Sequence, residues 1–339
     1  MALRLGLQLG YWQAKPPLGF VQLAQEAERL GYDSVWTAEA WGSDAFTPLA
    51  WIGAQTSRIK LGTAVVQLSA RTPAATAMHA LTLDHLTNGR LLLGLGVSGP
   101  QVVEGWYGQP FSKPLARTRE YVSIIRQVLA REAPVANPGP HYPLPYHGPG
   151  AWGLGKPLRA ITHPLRADVP ILLGAEGPKN VALAAEIADG WLPLYYSPFR
   201  PEVYAQSIAH RKPGFEIAVG VHLNVTDDVA AGLAPVKAML GFYIGGMGAK
   251  DRNFHKELMS RMGYEAEAEK IQELFFQGDR AGAIAAVPDA FADEIALVGP
   301  KERIRERLQA FDATPVTTLL VFAPDPAKLR QVAELVLER

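Results

Sequence analysis

The sequence predicts a (β/α)₈ barrel. Eight short apolar runs recur at 3–10, 34–37, 60–68, 91–97, 169–174, 190–194, 216–225 and 317–322, and helical patterns fill the intervals between them. The run of residues 58–101 is the clearest unit. In it two almost uninterrupted apolar stretches, 59–68 and 91–97, flank a segment in which Ala74, Ala77, Met78, Leu81 and His85 recur at helical spacing. Strands this apolar are buried on both faces, so the pair is expected to be parallel with the helix as its crossover. At 339 residues the chain has room for two ordinary domains or one large barrel. Eight alternating units, with insertions at about 133–168 and 241–293, favour a single barrel domain spanning 1–339 over an open sheet.

Taken in order, 3–10 alternates and is rich in Leu and Gly, as a first strand should be. Phe20, Leu23, Ala24, Ala27 and Leu30 mark a helix that Gly31 ends. A short strand at 33–37 contains Trp36 and leads through the loop 38–44 into a helix at 46–57. Thr72 and Pro73 form a good helix start, an N-cap hydroxyl followed by a proline whose missing N–H is not needed there, and Asn88-Gly89 ends that helix. Both flanking strands finish in small residues, Gly62-Thr63-Ala64 and the run 94–99, which lets a flat group approach the backbone closely. No helix is expected between Gln101 and Ala116. A helix follows at 116–131.

The segment 133–168 is dense in Pro and Gly yet carries Tyr142, Tyr146 and Trp152, which predicts an ordered excursion packed on the body. Strands at 169–174, 190–194 and 216–225 then alternate with helices at 178–188, around 202–210 and at 229–240. The second insertion opens on the glycine-rich 245–248, read either as a mobile lid or as a turn, and continues in helical sequence to Val287. A helix at 301–311, the last strand and a helix at 326–338 close the chain.

Composition removes several function classes. Lys+Arg and Asp+Glu are 33 each, so no long-range field favours nucleic acid or an anionic membrane. The absence of cysteine removes disulfides, thiolate metal sites and a cysteine nucleophile. The first ten residues, MALRLGLQLG, are broken by Arg4 and Gln8 and do not resemble a signal peptide. No run approaches the ~20 apolar residues of a membrane span, so a cytoplasmic protein without membrane or nucleic-acid partners is expected.

In such a barrel the chemistry lies at the carboxyl ends of the strands. Those ends carry Gln8, Tyr11 and Trp12; Glu39 and Trp41; Ala64, Val65 and Gln67; Ser98 and Gly99; Glu176, Gly177 and Lys179; Tyr195 and Tyr196; His222 and Asn224. No metal-ligand spacing and no G-x-S-x-G elbow occurs, and an aromatic, amide-lined mouth suits a flat organic cofactor better than hydrolysis. Gly94, Gly96 and Gly99 spell G-x-G-x-x-G, but the helix that a dinucleotide fingerprint must open is not expected there. The run 174–180, GAEGPKN, reads as an anion site at a helix start, with Lys179 beside it, or as an ordinary tight loop. Asp84 with Arg90 is read as a structural pair, Asp44 as a helix cap, and His79 and His85 as packing residues.

DSVWTAEAW at 33–41, LGTAVV at 61–66, TLDHLTNGRLLLGLGVSG at 82–99 and GAEGPKN at 174–180 together resemble the bacterial-luciferase-like family of (β/α)₈ oxidoreductases, in the branch that uses the deazaflavin coenzyme F-420. The resemblance spans nearly the whole chain. It implies a cis peptide at Ala64-Val65 behind the deazaflavin ring, with Glu39, Ser98 and Gly99 lining the ring. It further implies that Gly174, Ala175, Glu176, Gly177 and Pro178 receive the phosphate end of the cofactor. Hydride transfer to or from a small-molecule substrate follows; of the groups in reach to deliver a proton, Glu39, Tyr11, Gln67 and Tyr195, Glu39 is favoured as the catalytic one. Tyr11, Trp12, Trp41, Gln67 and Tyr195 are expected around the substrate. A homodimer is implied by the family alone. Related sugar-phosphate dehydrogenases carry a histidine and a glutamate where this chain has Ala40 and Pro100, so their route is not expected. An FMN monooxygenase served by a separate reductase, and an idle cofactor-binding protein, are the other readings.

Overall fold

The computed structural model describes residues 3–248 and 253–338. Eight parallel staves close into a barrel: β1 (Arg4–Gly10), β2 (Ser34–Thr37), β3 (Lys60–Thr63) with its continuation β4 (Val66–Gln67), β5 (Leu91–Gly96), β6 (Ile171–Gly174), β7 (Gly190–Leu192), β8 (Glu216–Val225) and β10 (Thr318–Val321). Closure is made by Thr318 to Val321 pairing with Ala218 to Val221 on one side and with Arg4 to Leu7 on the other. The extra strand β9 (Ala296–Gly299) pairs with the far half of β8, at His222 to Val225. It lies in sequence that carried no strand signal.

Outside the barrel are α1 (Phe20–Arg29), α2 (Phe46–Gly53), α3 (Pro73–Leu86), α4 (Pro100–Gly105), α5 (Pro114–Ala130), α6 (Pro178–Ile187), α7 (Glu202–Ala205), α8 (Val229–Gly246), α9 (Phe254–Arg261), α10 (Glu265–Phe276), α11 (Arg280–Ala285), α12 (Asp289–Glu294), α13 (Lys301–Asp312) and α14 (Pro326–Val336). The helix starts follow capping chemistry. Thr72 Oγ1 accepts the Ala75 N–H at 3.2 Å at the head of α3, and Asp44 accepts the Thr47 N–H at 2.8 Å at the head of α2. Asp228, Asn253, Asp279 and Asp325 cap α8, α9, α11 and α14 in the same way.

Two helix expectations are corrected. Helix α4 begins at Pro100, where a loop up to Ala116 was expected; its six residues are too few to display a periodic apolar face. Helix α8 runs through Gly245 and Gly246, which were read as part of a loop. A Cβ at either glycine would lie 2.6 or 2.3 Å from the Phe275 ring of α10, so these glycines exist to let two helices touch. Residues 249–252 lie outside the described part. Helix α8 has the length and apolarity of a membrane span. Here α10, α11, α12 and β9 pack against it as the central helix of the second insertion.

The first insertion is ordered, as its aromatics predict. Short antiparallel bridges join Val135 to Leu158 and Asn137 to Leu144. Glu120 Oε2 of α5 accepts from Asn137 Nδ2 and from the His141 and Tyr142 N–H groups at 3.0–3.1 Å, which pins the excursion to the body. The expected Asp84–Arg90 pair is not formed. Asp84 instead takes both Arg166 guanidinium donors, at 2.8 and 3.0 Å, while Arg90 donates to the carbonyls of Gly53, Thr56, Ile59 and Thr87.

The barrel interior holds Trp36, Leu92, Leu172, Leu192, Ala218 and Leu320, with Ala64 and Val65 above them. Trp36 is fully buried and donates its indole N–H to Ser34 Oγ at 2.8 Å. It fits because its neighbours are glycines: a Cβ at Gly62 would stand 2.2 Å from the indole, and one at Gly6 would stand 2.6 Å from Leu320 and 3.0 Å from the Trp36 nitrogen. Gly62→Ala is therefore expected to overpack the barrel and destabilise the fold by about 2–3 kcal/mol, read as a lower urea midpoint with an unchanged slope.

Candidate active site

The third stave is interrupted at the mouth of the barrel. Between β3 and β4 the Ala64-Val65 peptide is cis, as expected. The loop after β2 is stitched to this break: Ala64 N–H donates to the Thr37 carbonyl at 2.7 Å, and Glu39 N–H to the Val65 carbonyl at 3.3 Å. Val65 points across the mouth toward glycines of the next two staves. A Cβ at Gly96 would lie 2.5 Å from its Cγ2, and one at Gly174 would lie 3.2 Å from its Cγ1. Gly94 is under a similar constraint, since a Cβ there would meet the Thr63 carbonyl at 1.8 Å. Packing against the broken stave thus accounts for Gly94 and Gly96, without a dinucleotide fingerprint.

The result is a floor of backbone and small side chains, which a flat ring can approach. Ser98 takes the left-handed conformation, φ 59°, and Gly99 caps α4, so the β5 tip turns sharply beside this floor. A narrow crevice runs between the β5 and β6 tips, lined by Gly96, Val97, Gly174 and Asn180 among others. A second, slightly wider, is lined by Leu68, Ser69, Val97, Phe111 and Tyr142 among others. Among the described residues the buried Gln67 Oε1 and Ser69 Oγ, two and four positions past Val65, have no hydrogen-bond partner, so a polar acceptor and a hydroxyl remain free on the continuation of this stave.

Glu39 is buried, and its carboxylate is fully engaged. Arg71 Nη1 lies 2.9 and 3.0 Å from its two oxygens, and the Gln67 N–H donates to Oε1 at 2.8 Å. The Gln67 side-chain amide in turn donates to the Glu39 carbonyl at 3.1 Å. Arg71 is braced from behind, its guanidinium 5.4 Å from the Phe46 ring centroid and its carbonyl accepting the Tyr121 hydroxyl at 3.0 Å. Sequence reasoning missed Arg71: it stands 32 positions from Glu39 in a loop, and no spacing rule links the two. His79 and His85, expected to be packing residues, are exposed on α3: His79 stacks on the Phe46 ring and His85 bonds to the His163 carbonyl at 2.8 Å.

The β6 loop is anchored by Trp191, whose indole N–H donates to the Ala175 carbonyl at 2.7 Å. Gly177 caps α6, Pro178 occupies its first position, and both Pro178 and Lys179 are exposed. Glu176 turns inward. Its Oε1 accepts the Leu194 N–H at 2.6 Å and its Oε2 is buried with no partner. Burial pushes this carboxyl up to about 8. Next to it Tyr195 is buried, with its hydroxyl unpartnered. At the rim, Tyr11 and Trp41 are exposed, and Trp12 is half-buried with its N–H on Ser43 Oγ at 3.0 Å and its ring 6.1 Å from Phe20. His222, near the end of β8, has its buried Nε2 unpartnered, and burial and Lys328 hold it neutral to lower pH than usual.

The position of Glu176 has a thermodynamic consequence. Its folded value lies above the ordinary 4.5, so the proton it holds stabilises the fold fully below that value, and the contribution is lost as pH rises through about 8. Glu176→Gln, which stays neutral, is expected to melt like the parent near pH 5. Near pH 9 it should be more stable by on the order of a few kcal/mol, seen as a melting temperature several degrees higher.

A profile of the luciferase-like monooxygenase family matches residues 6–318. A protein of Mycobacterium tuberculosis (strain ATCC 25618 / H37Rv), provisionally named a coenzyme F-420-dependent oxidoreductase, is 54% identical over 343 aligned positions, covering 98% of this chain and 99% of its own. Among solved structures, the coenzyme F-420-dependent tetrahydromethanopterin reductase of Methanopyrus kandleri superposes with a TM-score of 0.80 at 22% identity, covering 100% of this chain and 99% of its own. An F-420-dependent secondary alcohol dehydrogenase, in complex with an F-420–acetone adduct, reaches 0.77 at 17% identity with 99% of each chain covered. At these identities the two structures attest the fold. The profile match over residues 6–318 and the 54% identical relative lead to one assignment: the chain belongs to the luciferase-like monooxygenase family.

Proposed function

We propose that this protein is a coenzyme F-420-dependent oxidoreductase that transfers hydride to or from a small organic substrate. The observation that carries the reading is the floor at the barrel mouth, where Val65 lies against Gly96 and Gly174 and the unpartnered Gln67 Oε1 and Ser69 Oγ stand beside it. A planar heterocycle with a polar edge matches both features. The 54% identical relative's name supports the deazaflavin over other planar cofactors.

When bound, the deazaflavin supplies a ring carbon that carries hydride. The chain's own residues bind and orient. Ala64, Val65, Ser98 and Gly99 bound the ring. The backbone of Gly174, Ala175, Glu176, Gly177 and Pro178, at the head of α6 with Lys179 exposed beside it, takes the anionic tail, while the Glu176 carboxyl turns away from it into the interior. Tyr11, Trp12, Trp41, Gln67 and Tyr195 surround the substrate and exclude water from it. Glu39 holds Arg71 and Gln67 in fixed positions at the ring's edge, because among the described residues the hydrogen bonds its carboxylate accepts all come from these two. On this reading Glu39 acts by positioning, where the sequence alone favoured it as the proton carrier.

Titration of the purified protein with oxidised coenzyme F-420, followed by the cofactor's fluorescence, is expected to saturate, and FMN is expected not to bind. Saturation by FMN alone would replace this reading with the flavin monooxygenase one. Glu39→Gln is expected to weaken F-420 binding about tenfold by leaving Arg71 without its charged partner. Unchanged binding with a kcat about a hundredfold lower would instead assign Glu39 to proton transfer.

A further inference from the structure

The second insertion reaches back over the barrel mouth and completes a cluster of rings. Tyr195 follows β7, Tyr243 lies near the end of α8 and His255 near the start of α9. Their rings pack edge to face, with centroids 6.2 Å apart for Tyr195–Tyr243, 5.6 Å for Tyr195–His255 and 5.1 Å for Tyr243–His255. The buried Asn253 fixes this arrangement. Its amide N–H donates to the Ile244 and Tyr243 carbonyls at 2.7 and 3.2 Å, and its Oδ1 accepts from the His255 and Lys256 N–H groups at 3.0 and 3.1 Å. The junction between α8 and α9 is therefore built to present these two side chains.

What they present is unpaired polarity. Among the described residues the Tyr195 hydroxyl, His255 Nδ1 and Glu176 Oε2 are all buried and all lack a hydrogen-bond partner. Burying a polar atom without a partner is costly, and three in one cluster exceed what packing alone explains. Tyr243 links the cluster to the open mouth, since it interacts with both Glu176 and Tyr11. Exposed Arg261 reaches the Glu176 backbone carbonyl, at 3.4 Å, and not the carboxyl.

We propose that Tyr195, His255 and Glu176, roofed by Tyr243, form the substrate subsite of this enzyme and take the oxygen of an uncharged alcohol or carbonyl compound. The proposal rests on the hydride-transfer reading above and names the substrate class for it. All three groups are neutral around pH 7: burial raises the Tyr195 phenol well above its usual range, holds His255 down to about 4 and holds Glu176 protonated. Between them they offer two O–H donors and an imidazole nitrogen, which suits a hydroxyl or carbonyl oxygen. A carboxylate or phosphate would carry a heavy desolvation cost in a buried site where, among the described residues, the one cation acting on the Glu176 carboxyl, Arg261, is exposed and makes no hydrogen bond to it.

The test uses the full chain with and without oxidised coenzyme F-420, and cyclohexanone against 4-oxocyclohexanecarboxylate as probes, with binding read by ligand-observed NMR. Cyclohexanone is expected to bind at least about tenfold more tightly than the carboxylate, and Tyr195→Phe to weaken cyclohexanone about tenfold. Because Tyr195→Phe removes only an unpartnered hydroxyl, its melting temperature should not fall, so a loss of binding will not be a loss of folding. Equal binding of the two probes, absence of cyclohexanone binding, or a Tyr195→Phe variant that binds like the parent overturns the proposal. F-420 fluorescence is read separately. If F-420 fails to bind while cyclohexanone binds to the unloaded protein, the cofactor reading fails and the subsite stands; the converse result overturns the subsite alone.

Discussion

The packing of Trp36 across the barrel axis is the constraint on which the mouth depends. One large indole fills the interior below the break in the third stave, and Gly6 and Gly62 yield the space for it. Barrel interiors are filled in layers, so a layer dominated by one ring leaves little freedom in the choice of its neighbours. Above that layer the order reverses. Gly94, Gly96 and Gly174 face the stave carrying Ala64 and Val65, and backbone replaces side chains as the lining. The barrel is thus closed by an aromatic plug, with a backbone lining above it.

Much of this was legible in the sequence. The eight staves were found because buried parallel strands are nearly continuous apolar runs, and the small residues at 62–64 and 94–99 marked the mouth. What escaped notice was either too short or too distant. PQVVEG forms one and a half helical turns without a periodic face, and ALVG forms a strand only because β8 extends far enough to pair with it. Asp84 found Arg166 across 82 positions in place of Arg90 six positions away, a choice made by how the first insertion folds back. The two glycines at 245 and 246 looked like a hinge and proved to be a helix–helix contact, because flexibility and close approach call for the same residue.

The two halves of the mouth differ in electrostatic character. On the side of β2 and β3 a buried carboxylate is matched by a guanidinium, with amide groups completing the arrangement. On the side of β6 and β7 the carboxyl has no cationic partner at its oxygens and sits among tyrosines and a histidine. A fixed ion pair holds geometry without exchanging protons readily, whereas neutral groups adapt to the ligand they meet. Site residues of one chemical type, Glu39 and Glu176, therefore have opposite characters set by what surrounds them.

Strand β8 is ten residues long, and its two halves have different neighbours. Glu216 to Val221 belong to the cylinder through β7 and β10, while His222 to Val225 leave it to pair with β9, which closes the second insertion. One continuous ribbon therefore joins wall and roof without a joint. The cap above the mouth is cantilevered from the cylinder rather than hung on a tether, and displacing it would bend a hydrogen-bonded stave. Entry and exit of small molecules then fall to the loops around the rim, where Tyr11 and Trp41 stand in solvent.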